Sequence, residues 1–272
     1  MRYLKSRAAA MLFVVSVLAT PYTLAGEPVR LVTWNVESGG SHPPTIAQEL
    51  AQLDLYDVYV LTEVLPAGAK IYRSSIAKRS EQPYESVLSE TGGGDRLQIV
   101  YNAKRFEKTA QTELHQFREY PLNDPKRRHR SPLVVTLKDR NSRLEFKVVA
   151  VHFAFGDKDL RRAQAKGLRL WADEQSLPLI AMGCFNFMYR FPDKGGNDAF
   201  REFMLDYIWR WPEPERLIDT NWSDRDEDGE DDFQKSVLDF AYVANQAKIW
   251  EAKSRIVKRD TVLTCNRACR RI

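Results

Sequence analysis

Cysteine is scarce, with three in 272 residues at positions 184, 265 and 269. A disulfide-built scaffold is thereby excluded, and a hydrophobic core has to hold the fold. Histidine is nearly as scarce: His42, His115, His129 and His152 are the full set, and none lies beyond position 152. No Gly-X-Ser-X-Gly, His-Glu-X-X-His or Walker sequence occurs, so the nucleophile-elbow hydrolases, helix-borne zinc peptidases and P-loop nucleotidases are set aside. Apolar runs long enough to span a bilayer, about 20 residues, are missing too. So is a strong excess of one charge. The 41 basic residues exceed the 37 acidic ones by only four, which gives no ground for a polybasic nucleic-acid or membrane binder.

The N-terminus is the first positive signal. "MRYLKSR" is a basic n-region, "AAAMLFVVSVLA" is an apolar stretch of about a dozen residues, and "TLA" puts small side chains before a cleavage point after Ala25. Residues 1–25 are therefore expected to be a signal peptide and the protein to be secreted or periplasmic, without a stable membrane span. Arg2, Lys5 and Arg7 leave with that leader, which lowers the net charge from +4 to +1. Residues 26–272 suit one large domain, because no Ser/Gly linker or internal repeat divides them.

Strand-like runs dominate that domain. "PVRLVTWNV", "YDVYVLTEV", "YESVLSE", "RLQIVYN", "TELHQF", "SPLVVTLKD", "LEFKVVAVHF", "PLIAMG" and "SVLDFAYVA" all read as strands. "TIAQELAQL" and "AGAKIYRSSIAKR" read as helices. "KDLRRAQAKGLRLWADEQ" reads as a third, with Leu160, Ala163, Gly167 and Leu170 on one face and Arg and Lys on the other. The fold class expected is α/β or α+β, with two sheets packed face to face and helices outside.

Four of these runs end on a polar side chain: Asn35 in "TWNV", Glu63 in "LTEV", His152 in "VHF" and Asn186 in "GCFN". A fifth, Asp239, lies within "VLDFAYV". Each has a plain reading as a strand cap, a turn amide or a hydrogen-bonded interior group. An unpaired buried polar atom costs roughly 1–3 kcal/mol, however, and one shared site would satisfy all five. Carboxylate and amide oxygens suit a hard cation such as Mg²⁺, and a neighbouring histidine suits metal-assisted hydrolysis of a phosphoester.

In order and rough spacing, "TWNV", "LTEV", "VHF", "MGCFN" and "LDFAYV" resemble the motifs of the endonuclease/exonuclease/phosphatase family. "LQIVYNAKRFE" and "HRSPLVV" agree with its minor motifs. The resemblance implies a four-layered α/β/β/α sandwich of the DNase I-like type and Mg²⁺- or Mn²⁺-dependent cleavage of a phosphodiester, nucleic acid included. It implies Glu63 as chief metal ligand, Asn35 as a metal or phosphate contact, and His152 at the phosphate or leaving group. Asn186 would orient water or phosphate, Asp239 would match the polar residue of the "LDY" strand, and Arg130 would contact substrate.

Two departures bear on activity. The family's Gly-Asp-Phe-Asn reads Gly183-Cys184-Phe185-Asn186, and a buried thiol replaces neither a hard-metal carboxylate nor an acid–base group. No histidine follows Asp239, so the family's Ser-Asp-His element is absent, and the last core strand is expected to be missing with it. The expectation is an exported phosphodiester hydrolase with impaired catalysis. The alternative is a non-catalytic pseudoenzyme that binds phosphate or a partner on the same fold.

Weaker signals remain. Asp224, Asp226 and Asp228 alternate before Gly229 like the opening of a calcium loop, but Lys235 stands where a bidentate Glu would close it; a weak Ca²⁺ site is the most this suggests. "PKRRHR" is a basic turn. Cys265 and Cys269 are close enough in sequence to pair in an oxidising compartment.

Overall fold

The computed structural model describes residues 11–18, 27–36, 42–117, 129–191, 193–221 and 235–258. Alternation along the strands sorts their apolar side chains into two cores. In β2 (Val29–Asn35) Leu31 enters one core and Val32 the other. In β3 (Val58–Val64) Val58 and Val60 join Leu31, whereas Tyr59 and Leu61 join Val32. The smaller core is closed by Ile46 and Leu50 of α1 (Pro43–Gln52) and by Tyr72 and Ile76 of α2 (Pro66–Ser80). The larger runs between the sheets to Ala165 and Leu168 of α3 (Lys158–Asp173) and Phe203 of α4 (Asp198–Phe203). The result is the expected helix–sheet–sheet–helix layering.

The first sheet adds β1 (Met11–Leu18), β4 (Tyr84–Leu88), β5 (Arg96–Asn102) and β12 (Glu251–Lys258), in the order β12-β1-β2-β3-β5-β4. The second contains β6 (Phe106–Glu113), β7 (Leu133–Asp139), β8 (Glu145–His152), β9 (Leu179–Tyr189), β10 (Trp209–Arg210) and β11 (Val237–Ala244), in the order β10-β11-β9-β8-β7-β6. Each sheet thus has six strands. The first reaches six by taking β1, from ahead of the predicted cleavage point, between β2 and β12 and antiparallel to both. Without β1 four paired strands would remain, β2-β3-β5-β4, and β12, whose ladder among the described residues is to β1, would be left unpaired.

Local chemistry explains the helix starts. Prolines occupy the first turn of α1 and α2, where no backbone donor is needed. Asp157 caps α3 by accepting from the amides of Asp159 and Leu160, and Asn197 caps α4 by accepting from that of Phe200.

Three sequence expectations change. "TELHQF" is not a strand: β6 ends at Glu113, and His115–Phe117 is a 3₁₀ turn. A strand not foreseen, β12, follows β11 despite its charged sequence, because the ladder to β1 satisfies its backbone. The inward face of α3 also differs. Leu170 and Ala163 are exposed, while Arg161, Gln164, Leu168 and Arg169 are buried. Both arginines find partners for their terminal nitrogens there, while each Nε stays buried without one. Arg161 donates to the carbonyls of Ala154 and Phe155, and Arg169 pairs with Glu202 and Asp206.

A partly buried guanidinium also joins the sheets. Arg105 donates to Asp57, just ahead of β3, and to Asp139, the last residue of β7, at 2.9 Å each. Burial raises the Asp57 carboxyl above its ordinary range. At Asp139 burial is outweighed by donation from the Ser142 and Asn141 amides and from Arg105, which leaves that carboxyl low.

Gly183 makes the closest approach in the second sheet. It pairs with Val151 at φ +138°, and a Cβ there would collide with the Val151 carbonyl oxygen. Gly183→Ala is expected to cost about 2–4 kcal/mol in urea unfolding, from strain and strand displacement together. A second expectation concerns β1: in the full-length chain the amides of 11–18 should exchange with solvent more slowly than those of edge strand β4. Exchange at the rate of an unfolded chain would show that β1 does not hold its place in the sheet.

Candidate active site

Strand ends bring three of the expected residues, Asn35, Glu63 and His152, together. Asn35 closes β2, in register beside Thr62 of β3. One residue later the ladder between β3 and β5 shifts, and Glu63 takes a left-handed backbone (φ 58°) that turns its side chain out of the regular strand. The Asn35 amide donates to Glu63 Oε1 at 2.9 Å. His152, the last residue of β8, brings Nε2 to 3.6 Å from the same oxygen. The two sheets therefore meet at Glu63.

On the second sheet, His152 pairs with Cys184 across the parallel β8/β9 ladder, and Asp239 pairs with Cys184 across the antiparallel β9/β11 ladder. Opposite residues of a registered pair share a face. His152, Cys184 and Asp239 thus stand in one row across three adjacent strands. Phe185 and Phe187 point the other way, into a cluster with Phe203, Phe240 and Tyr242.

The electrostatics follow from burial. His152 is held well below its ordinary pKa, first by desolvation and then by the Arg130 charge, so at neutral pH its imidazole is uncharged. The 3.6 Å approach to Glu63 is accordingly not an ion pair. The Cys184 thiol is pushed well up by burial and by the Asp239 and Glu63 carboxyls, against a smaller opposing pull from the Asn186 amide and Arg130. It stays protonated. Burial raises Asp239 to about 7, with Thr220 opposing and Glu63 adding to the rise. These mutual effects place Glu63, His152, Cys184, Asp239 and Arg130 within one electrostatic neighbourhood.

Asn186 is differently placed. Its amide donates to the Phe153 carbonyl at 2.8 Å and accepts from the Cys184 thiol at 3.5 Å, while Asn197 donates to its backbone carbonyl. With φ 53° and near-complete burial, it braces the turn after Cys184. Arg130 donates to the carbonyl of Asp95 at 2.7 Å and pairs with its carboxylate. Asp95, Thr220 and Asn197 are the residues that sequence reading missed. Each lies in a loop and carries no motif, and only its partner reveals its role. Asp224, Asp226 and Asp228, residues 125–128 of the basic turn, and the Cys265–Cys269 pair lie outside the described residues.

The donor set can be tested against a hard cation. Mg²⁺ takes octahedral oxygen ligands, usually one or two carboxylates with waters and substrate phosphates. Glu63, with 23% of its side chain exposed, offers one such carboxylate, and the Asn35 carbonyl could join it if that amide turned over. Cys184 adds no oxygen. Among the described residues no three His, Cys, Asp or Glu side chains are already gathered as metal ligands. The site therefore fits a hard ion held chiefly by Glu63.

No protein-family model and no curated protein matches the chain. Solved structures do. An endonuclease/exonuclease/phosphatase from Bacteroides vulgatus superposes with a TM-score of 0.61 at 17% identity, over 80% of this chain and 87% of its own. A Bacteroides thetaiotaomicron protein of that family gives 0.60 at 14%, over 86% and 98%. D. rerio TDP2, complexed with a single-strand DNA product, gives 0.57 at 14%, over 80% and 84%. At such identities the likeness speaks for architecture, and it agrees with the layers and strand ends described above: this chain has the DNase I-like fold of the endonuclease/exonuclease/phosphatase proteins.

Proposed function

We propose that the chain is a divergent member of the endonuclease/exonuclease/phosphatase family, exported by its leader, which binds a phosphate ester at the Glu63 rim and hydrolyses it slowly. The observation that carries this reading is the meeting of both sheets at one carboxylate, with Asn35 2.9 Å and His152 3.6 Å from Glu63 Oε1. Glu63, assisted by Asn35, would hold Mg²⁺ or Mn²⁺, which when bound polarises a phosphate oxygen and acidifies water.

The chain's own groups supply the rest. Arg130 contributes positive charge near the phosphate position. Neutral His152 can donate to a phosphoryl oxygen or take a proton at one ring nitrogen. Cys184, protonated and buried, can neither accept that proton nor bind a hard ion, and Asn186 is occupied in bracing the turn. No histidine follows Asp239 in sequence to serve as a second base. Positioned acids and bases contribute on the order of 10²–10⁴-fold each, so their loss predicts slow turnover. Solved structures of the same fold include a mannosyl-6-phosphatase and one bound to a DNA product, and the class they share, a phosphate ester, is the substrate we assign.

Cleavage of bis-p-nitrophenyl phosphate and plasmid DNA with Mg²⁺ or Mn²⁺ tests this. Wild type should turn over slowly, Glu63→Ala should abolish what remains, and Cys184→Asp should raise the rate at least tenfold, within the ~10²–10⁴ available to a restored acid–base group. Fast turnover that survives Glu63→Ala would overturn the assignment.

Stability should report on Asp239. Its folded pKa, about 7 against an ordinary 3.8, means that the folded state keeps a proton the unfolded chain has lost. Stability on its account is fully present below pH 3.8 and declines toward pH 7. Urea unfolding across that range should show the decline in wild type and a flatter profile in Asp239→Asn, whose amide does not ionise.

A further inference from the structure

We propose that Asp95 is a positioning residue of the rim: it holds the Arg130 guanidinium across the gap between the sheets, so that Arg130 meets a phosphate in one fixed orientation. This deepens the phosphoester reading and rests on it for the phosphate alone, since what it adds is how the cation is aimed.

Register places the two residues. Asp95 immediately precedes β5, whose first residue, Arg96, pairs with Val64 beside Glu63. Arg130 lies three residues ahead of β7. The antiparallel β7/β8 ladder, with Leu133 against Ala150, runs from there toward the His152 end of β8. The pair thus spans the two sheets at the end where Glu63 and His152 meet. His152 and Cys184 both feel the Arg130 charge. Arg130 has little freedom there. Its Nε donates to the Asp95 carbonyl at 2.7 Å, Nη2 pairs with the Asp95 carboxylate, and its side chain is only 11% exposed. Gly92, at φ +98°, closes the loop over the stem of that side chain. A Cβ on Gly92 would lie 2.6 Å from the Asp95 carbonyl oxygen and 2.9 Å from Arg130 Cγ. The following residue is tied to the same loop: the Ser131 amide donates to Thr91 Oγ1 at 2.8 Å, and Thr91 Oγ1 donates to Glu113 at 2.6 Å.

The shape of the guanidinium gives the consequence. It carries its N–H donors in a planar fork that matches the oxygens of a carboxylate or a phosphate. Asp95 takes the edge formed by Nε and Nη2, which leaves the edge formed by Nη1 and Nη2 to donate in parallel to two phosphate oxygens. Paired donation of that kind requires the plane of the fork to be set in advance. An Arg130 released from Asp95 would keep its charge and lose that alignment, and a misplacement of about 1 Å can cost on the order of 10²-fold in rate.

A double-mutant cycle on hydrolysis of bis-p-nitrophenyl phosphate tests the assignment. Asp95→Ala should lower kcat about tenfold or more and change KM by less than about threefold, because the charge stays and its alignment goes. Asp95→Asn, which keeps an acceptor oxygen at the same place, should recover most of that loss. In an Arg130→Ala background, Asp95→Ala should have no further effect, since Asp95 acts only through Arg130. A readout independent of turnover is the NMR signal of the Arg130 Nε–H, assigned by its loss in Arg130→Lys. It should be sharp in wild type, shift when inorganic phosphate is added with Mg²⁺, and broaden in Asp95→Ala. Additive losses in the cycle, a wild-type kcat in Asp95→Ala, or an Nε–H signal indifferent to phosphate would each overturn the proposal. A protein whose Nε–H signal responds to phosphate in this way but which cleaves no ester refutes the proposed hydrolysis and keeps the positioning role. One that cleaves esters equally well as Asp95→Ala does the reverse.

Discussion

Everything at the functional rim depends on one strand, β9, being held in register with both neighbours. It runs parallel to β8 and antiparallel to β11, and Gly183 is what lets it lie against Val151 just before the site begins. The residue after that contact is Cys184, with His152 on one side and Asp239 on the other. A slip of β9 by one position would turn Cys184 to the opposite face, away from His152 and Asp239, because side chains alternate with period two. The aromatic cluster behind the row resists such a slip. Phe185 packs edge-on against Tyr242 and Phe203, and Phe187 packs edge-on against Tyr242 and tilted against Phe203; ring pairs of this kind add to the stabilisation from buried area.

The other half of the rim belongs to the first sheet and is positioned separately. Asn35 and Glu63 end two parallel strands, and the Arg105 clamp fixes the approach of the sheets beside the start of β3. Glu63 therefore faces His152 because two independently ordered sheets are packed and pinned, and neither sheet alone would hold a complete site. The six-stranded first sheet is itself assembled from distant sequence, with β1 and β12 drawn from its two ends.

Burial then decides the chemistry of the groups that meet. The imidazole is neutral, the thiol protonated and the Asp239 carboxyl has its pKa near 7, so none of the three presents a full charge to Glu63 at neutral pH. In water the same side chains would include two carboxylates and a partly charged histidine. Position 184 thus carries a buried, protonated thiol in the middle of the row, between His152 and Asp239.

Much of this was legible in the chain. Alternating apolar runs gave eight of the twelve described strands, all but β1, β6, β10 and β12, and the polar residues that interrupt or end them, Asn35, Glu63, His152 and Asp239, marked the rim, since buried strands tolerate such groups only where partners await. The departure at Cys184 was visible as well. The inward face of α3 was not, because Arg161 and Arg169 are buried only where particular carbonyls and carboxylates receive them. Nor was the bracing role of Asn186, which is set by the Phe153 carbonyl 33 positions away, or the pairing of Arg130 with Asp95. The sequence by itself determined the layers, through the two-residue period of its apolar side chains, and the donor types at the strand ends. Only the tertiary structure decided which donors meet, which are already satisfied and which carry charge, because register and desolvation belong to the packed sheets and to no residue taken singly.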